Sequence, residues 1–527
     1  MPVVTLHRAD LEQMVGRDTN TIVEVLPLLG ADVECVNEEI EVEFFPNRPD
    51  LFSVEGAARA VRGILEVETG LPHYLTTPSG ITLTVDPSVN VVRPYVVCAV
   101  IRGVSMNDRT IKSLIELQED LHWGIGRDRR KASIGIHDFS RVRPPFRYTV
   151  GETPFVPLEL TDLLTPAEIL RVHPKGKEYA HLVGSHHPLI LDSEDRVLSF
   201  PPIINGELTR VTDTTTNLFI DVTGREMKAI QDCLHILVTA LADRGASIET
   251  VDVVYHDANE VLKTPNVAGA THVISRKDIE QRIGTDLDEE TILASFAKVR
   301  MDAQAKDDLF SVTVPCYRTD IMHPVDIIED VAIGFGYDRI PSSYPKLGTI
   351  GKRLEQEHRA TLARDVLQGL GFIEVITLML ANESDEAVII ENPILEEHVS
   401  LRTSLLPGLI GTLALNQHRD YPQMVYEVGD VTRLLDMSNV EERLLCSGVI
   451  ASTEANFTEI KRVVSALLRE FTIDFEVVES THPTFIEGRR ATILAKGQAI
   501  GTFGEIDPDI LTDHKLVFPV AAFELNI

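Results

Sequence analysis

The carboxylates Asp320, Asp326, Glu329 and Asp330 are the residues of this chain whose types and spacing most directly admit chemistry. They fall within residues 317–332, which read YRTDIMHPVDIIEDVA. Pro324 suits the first turn of a helix, because it lacks an N–H that the first turn would leave unpaired. On that helix Asp326, Glu329 and Asp330 stand at i, i+3 and i+4 and share one face. Asp320 lies just upstream, in a loop that can fold back toward them. Like charges so placed repel by about a few tenths of a kcal/mol per pair unless a cation sits among them. Carboxylate oxygens without His or Cys suit Mg2+ or Ca2+, not zinc. The same acids in a first turn also complement the helix dipole with no ion present. Spacing alone leaves both readings open.

A basic cluster, Arg127, Arg129, Arg130 and Lys131, stands out in WGIGRDRRKASIGIHD. Such a cluster can grip nucleic-acid phosphates, and a solvated loop is the competing reading. Its glycines do not fit GxGxxG, which argues against a dinucleotide site. His137 and Asp138 close the segment, with structural and catalytic roles both open. His186 and His187 are near Ser199 in sequence, but no GxSxG elbow surrounds that serine, so a Ser-His-Asp triad is a poor explanation. No GxxxxGK[ST] phosphate loop occurs.

These residues are carried by a chain with an internal repeat. RADLEQMVGRD begins at Arg8 and RKDIEQRIGTD at Arg276. Each copy runs on through a second helical pattern and a strand-like alternation to an Arg-x-Asp, Arg48-Pro49-Asp50 and Arg318-Thr319-Asp320. In the first copy the positions of Asp326, Glu329 and Asp330 hold Gly56, Arg59 and Ala60, and only Asp50 is kept. One small α-rich module used twice is the expectation; two copies do not make a solenoid. Between them, VVRPYVVCAVIRGV and residues 132–137 read as strands, and MKAIQDCLHILVTALADR as a helix ending at Gly245. The central region is thus mixed α/β. A Ser-, Pro- and Gly-rich break at 341–351 precedes a further helix and strand-like runs to the end of the sequence.

At 527 residues, 44% hydrophobic and 25% charged, the chain is expected to form several globular domains. Five scattered cysteines, none in a CxxC pair, fit reduced thiols. A formal charge of −32 argues against a surface that coats nucleic acid generally, so any RNA contact must be local or supplied by a partner. The N-terminal residues lack the basic-then-apolar pattern of a signal peptide. The longest apolar stretch, LHILVTALA, is far short of a membrane span. A soluble cytoplasmic protein is the expectation.

Four long motifs, in one order, resemble the phenylalanyl-tRNA synthetase β-subunit family. Residues 46–65 (PNRPDLFSVEGAARAVRGIL) resemble its B1 domain, and residues 200–224 its B3/B4 domain. Residues 317–341 resemble its B5 domain, and residues 401–416 (LRTSLLPGLIGTLALN) its catalytic-like module. The resemblance implies an α+β multidomain chain: a B1-like module at 1–85, a B3/B4-like editing domain at 86–265, a B5-like module at 266–345, and a degenerate class II synthetase-like antiparallel sheet at 346–527. It implies Mg2+ on Asp320, Asp326, Glu329 and Asp330. It implies an editing pocket for tyrosine wrongly attached to the phenylalanine tRNA, lined by Leu189, Ser199, Asp221 and Thr223. An apolar pocket rejects one added hydroxyl only weakly, which is why a second, polar site is needed. On this reading the basic cluster would hold the tRNA acceptor end.

No oligonucleotide-binding barrel is evident between the first module and the B3/B4-like domain, and no domain is expected after Ile527. Both features resemble the archaeal and eukaryotic form of the family. Arg402 lacks the nearby Glu expected of an ATP-clamping arginine, and the last strand lacks a closing Arg. The module is therefore expected to be a degenerate scaffold, and the resemblance implies that ATP use and aminoacyl transfer lie on an α subunit, within an α2β2 assembly. The apolar runs LLPGLIGTLAL and PVAAFEL fit a surface covered by that partner, though an ordinary core fits them as well. The alternative is a stand-alone tRNA-binding or deacylating protein, for which a full-length class II module would have no use.

Overall fold

The computed structural model describes residues 3–255, 260–345, 347–382, 386–436 and 439–527. The chain divides into two compact units, Met1–Tyr344 and Pro345–Ile527.

The first unit opens with β1 (Val3–His7), α1 (Arg8–Val15), α2 (Thr19–Val25), β2 (Ala31–Val36), β3 (Glu39–Phe44) and α3 (Val54–Ile64). The three strands pair in the order β1-β3-β2. Local sequence explains the joints. Gly16 ends α1 in the left-handed region at φ 75°, where its N–H reaches Glu12 O. Asp18 then caps α2 by accepting from the N–H groups of Asn20 and Thr21. In β3 the alternate residues Ile40, Val42 and Phe44 are fully buried.

The central domain follows as β4 (Thr76–Val85), β5 (Tyr95–Arg102), α4 (Asp108–Trp123), β6 (Ala132–Asp138) and β7 (Phe146–Val150). It continues through α5 (Pro166–Val172), α6 (Pro174–Tyr179), β8 (Pro188–Leu191), β9 (Val197–Phe200), β10 (Ile204–Asn205) and β11 (Asn217–Gly224). It closes with α7 (Met227–Asp243), β12 (Ser247–Tyr255) and β13 (Glu260–Thr264). The sheet runs β10-β9-β8-β7-β4-β12-β5-β11-β6, with β13 beside β12. Because β4 lies inside this sheet, the central domain takes in residues 76–85, which the sequence reading gave to the first module.

The two faces of this sheet are filled by alternate residues. On one, Val97, Ala99, Ile220 and Val222 pack with Ile230, Leu234 and Leu237 of α7. On the other, Val96, Cys98, Val100, Phe219 and Tyr148 form a separate core. The two ends of the sheet approach each other, so that Asn205 of β10 donates to Ile136 O of β6 at 3.3 Å.

A second module then repeats the first: β14 (Ala270–Ser275), α8 (Arg276–Ile283), α9 (Glu289–Lys298), β15 (Asp302–Lys306), β16 (Leu309–Val314) and α10 (Pro324–Phe335). Its strand order, β14-β16-β15, matches that of the first copy. Gly284 ends α8 at φ 82° as Gly16 ends α1. Each module is thus three strands and three helices, with an opening strand just before each repeated Arg.

The second unit holds a seven-stranded sheet. Gln423–Asp436, Asn439–Ala451, Val520–Asn526, Gln498–Ile506, Phe485–Ala495 and Glu476–Glu479 pair antiparallel in that order, with the short strand Ile373–Glu374 parallel to the first. Helices Glu355–Gly369 and Phe457–Glu470 supply the buried Ala363, Leu367, Val464 and Leu467 to its core.

Candidate functional site

The antiparallel pair β6 and β11 sets the chemistry. Asp221 stands opposite Gly135, and Thr223 opposite Ser133. With period-2 alternation, Ser133, Gly135 and His137 share one face with Phe219, Asp221 and Thr223. His137 Nε2 and Asp221 Oδ2 are 2.7 Å apart, with His137 Nδ1 2.8 Å from Thr209 Oγ1. Ser133 and Thr223 hydroxyls meet at 3.1 Å. All of these side chains are buried.

Beside them lies a cavity of about 560 Å3. Its walls are apolar along Ile134, Ile136, Phe200, Ile203 and Ile204, and polar at Ser199, Asp221, Thr209 and His173. It sits where β6 faces β9 and β10, so the approach of the sheet's two ends creates it. Ser199 Oγ is buried and has no hydrogen-bond partner among the described residues. Leaving such a hydroxyl unpaired costs about 1–3 kcal/mol, which a polar group on a bound molecule would return. His173 accepts from Lys175 N at its Nδ1, which leaves its Nε2 as the protonated nitrogen.

Ser199 and Asp221 therefore come together at the cavity. Leu189 and Thr223 do not line it. Leu189 packs among Phe155, Ile169, Val197 and Phe200 in a neighbouring core. Thr223 is held from behind by Arg93, whose guanidinium donates to Thr223 O at 2.8 Å and to Arg129 O at 2.9 Å. Burial draws Arg93 down to about 10, still charged near neutrality.

The basic cluster is not one surface. Arg127, Asp128 and Arg129 take three successive left-handed conformations, φ 49°, 56° and 62°. The turn aims Arg129 inward, where it donates to the carbonyls of Pro202 and Ile203 and to Glu119 at 2.7 Å. Arg129 is thus part of the cavity wall rather than an exposed phosphate contact. Lys131 is paired with Glu226 at 2.9 Å, while Arg127 and Arg130 are exposed. Nothing in the composition RDRRK distinguishes these roles.

The four carboxylates are not gathered into one cation site either. Arg318 donates to both oxygens of Asp320, at 2.8 and 2.6 Å, and to Asp330 Oδ2 at 2.8 Å. Its guanidinium stands where a cation was expected. Asp326 instead accepts from the N–H groups of Met322 and His323, in a capping box that begins α10. Glu329 is exposed. Among the described residues no group of three or more His, Cys, Asp or Glu side chains is placed to hold a metal ion. The single Mg2+ set expected from the sequence does not fit this arrangement, because an arginine already neutralises two of its members.

Two family models match the chain: the phenylalanyl tRNA synthetase beta chain CLM domain over residues 340–527, and the tRNA synthetase B5 domain over residues 272–337. The phenylalanine–tRNA ligase beta subunit of Methanococcoides burtonii is 43% identical, covering 100% of both chains. That of Archaeoglobus fulgidus is 45% identical, covering 100% of this chain and 98% of its own. The crystal structure of an N-terminal fragment of the phenylalanyl-tRNA synthetase beta subunit from Pyrococcus horikoshii matches with a TM-score of 0.61 at 36% identity, over 64% of this chain and 100% of the fragment. This chain belongs to the phenylalanine–tRNA ligase β-subunit family.

Within the region of the family's CLM domain, Arg402 is enclosed by its own unit. Its guanidinium donates to Glu427 at 2.7 Å, to Thr377 Oγ1 at 2.9 Å and to Asp430 O at 2.9 Å. An arginine so committed is not free to clamp a phosphate. Glu524, on the last strand of this phenylalanine–tRNA ligase β-type unit, is likewise turned inward and accepts from Leu405 N and Ser404 Oγ. Among the described residues no helix is long and apolar enough to cross a membrane.

Proposed function

We propose that this β-type chain works in the cytoplasm with a phenylalanyl-tRNA synthetase α subunit, in an α2β2 assembly, and removes tyrosine from mischarged phenylalanine tRNA. The observation that carries the editing role is the 560 Å3 cavity with Asp221 and Ser199 on its wall. That volume is in the range of small-molecule sites, typically about 300–1,000 Å3. Its apolar walls suit an aromatic ring. A phenol entering it donates its O–H to the Asp221 carboxylate, and Ser199 Oγ gains the partner it lacks. A phenylalanine ring gives neither bond and leaves both groups desolvated, which is the physical basis for rejecting it.

No residue here needs to act as a nucleophile. A water held by the polar wall, assisted by the tRNA's own hydroxyl, can cleave the ester. Exposed Arg127 and Arg130 remain as tRNA phosphate contacts in this reading. ATP, with its Mg2+, is used on the α subunit; the enclosed Arg402 supports that assignment. The test is hydrolysis of Tyr-tRNA by the assembled enzyme. Asp221→Ala should slow it by about tenfold or more while phenylalanylation is retained. Unchanged hydrolysis by that variant removes the assignment.

A further inference from the structure

We infer that His137 is the positioning residue of the editing site, acting through Asp221; this rests on the hydrolytic reading given above. His137 is fully buried and does not line the cavity, so it cannot touch a substrate. What it does touch is the acid that would. Its Nε2 meets Asp221 Oδ2 at 2.7 Å, and that carboxylate's other oxygen has no hydrogen-bond partner among the described residues. One oxygen is thus tied back and the other is left for the cavity.

The pair is fixed by its surroundings. Gly135 stands directly across from Asp221, and a Cβ there would lie 2.3 Å from Asp221 Oδ2 and 2.7 Å from His137 Nε2. Only a residue without a side chain leaves room for the contact. On the far side of the ring, Thr209 Oγ1 lies 2.8 Å from Nδ1 and also 3.2 Å from Gly206 O. An ionised Asp221 can only accept, so Nε2 must carry a hydrogen. When the ring is neutral, Thr209 turns its hydrogen onto Nδ1. When the ring is charged, Thr209 turns it onto Gly206 O and accepts from Nδ1 instead. Rotation of one hydroxyl serves both protonation states, and the Nε2–H to Asp221 is kept in each. The histidine is therefore an anchor whose required property is one donor at the Nε2 position.

That property separates two near-isosteric replacements. Gln places its amide nitrogen where Nε2 stands, whereas Asn reaches only to the Nδ1 position. In the enzyme assembled with its α subunit, single-turnover hydrolysis of Tyr-tRNA should fall about tenfold or more for His137→Asn and stay within about threefold of wild type for His137→Gln. A role limited to filling the core would let His137→Leu, of similar volume but without a donor, match His137→Gln; the anchoring role requires His137→Leu to fall with His137→Asn instead. Wild-type rates for His137→Asn, or equal loss in His137→Asn and His137→Gln, overturn the inference. Wild-type enzyme that leaves Tyr-tRNA intact overturns instead the hydrolytic reading on which it rests.

Discussion

A buried imidazole beside the cavity gives this chain a sensitivity to acid. His122, on α4, accepts the N–H of Ile134 at its Nε2, at 2.8 Å. Burial holds its pKa down to about 4, against an ordinary 6.5. Burial alone would raise its neighbour Glu119, but His122 and Arg129 outweigh it and hold that carboxyl down to about 2. As pH drops below 6.5 the unfolded chain binds a proton on His122 that the folded chain refuses until about pH 4. The stability this neutral ring provides is thus complete above 6.5 and lost across that window, by an amount on the order of 3 kcal/mol. His122→Gln retains an acceptor for Ile134 and cannot titrate. Urea midpoints measured at pH 7.5 and 4.5 should fall further for wild type than for this variant; parallel falls would remove the assignment. Neither His122 nor Arg93 is legible in the sequence, since each acts through backbone groups brought to it by β6 and β11. Asp221 and Ser199 are legible only through the family's motif. The alternation of Ser133, Gly135 and His137 in SIGIHD is the one local signal that a polar face was present.

At the level of elements, the repeated Arg-x-Asp is a folding device present in both modules. Arg48 grips both oxygens of Asp50 at 2.8 Å, as Arg318 grips Asp320. The modules meet around these loops: Arg59 of α3 lies 3.7 Å over the Tyr317 ring, and Gly70 N donates to Ala297 O at 2.7 Å. In the second module the clasp has an added member. Burial pushes Asp330 up, with Arg318 and Arg48 opposing it, while Arg318 overcomes burial to hold Asp320 down. The repeat and its helices were readable from spacing; that Asp326 caps α10, Glu329 faces solvent and Asp330 is buried against Arg318 was not. The arginine's direction was not, because it depends on the turn between β16 and α10. Unequal costs follow. Arg318→Met strands a buried Asp330 and should cost about 3–5 kcal/mol. Asp326→Ala removes a cap for about 0.5–2 kcal/mol. Glu329→Ala, at an exposed position, should stay within about 0.5 kcal/mol of wild type. Unfolding curves give this order directly. Comparable losses for Asp326 and Glu329, both relieved by added Mg2+, would restore a shared cation.

Across the molecule, the apolar runs that fitted either a partner surface or an ordinary core in the sequence prove to be core. In LLPGLIGTLAL, Leu406, Leu409, Ile410 and Leu413 pack with Val449, Phe485 and Val520 in the core of the second unit. Strand Val520–Asn526 lies inside its sheet, with Ala521, Phe523 and Leu525 buried. Hydrophobicity alone could not tell a covered face from a core, since both remove the same side chains from water. Other apolar residues do face solvent, in stretches that gave no signal in the sequence: Ile376 is 91% exposed beside Leu378 at 66%, and Ile394 is 99% exposed beside Leu395. With a formal charge of −32, general association is opposed by self-repulsion, so large exposed isoleucines in such a chain point to a specific cover. The α subunit proposed above as this chain's partner is the cover that these two residues test. Ile376→Glu and Ile394→Glu should leave the melting of the β chain within about 1 °C of wild type, as surface changes of small cost. They should nonetheless lower the yield of β recovered with tagged α, by about tenfold if each buried side chain contributes about 1.5 kcal/mol. Full recovery with both variants would place the α contact elsewhere on the second unit or on the first.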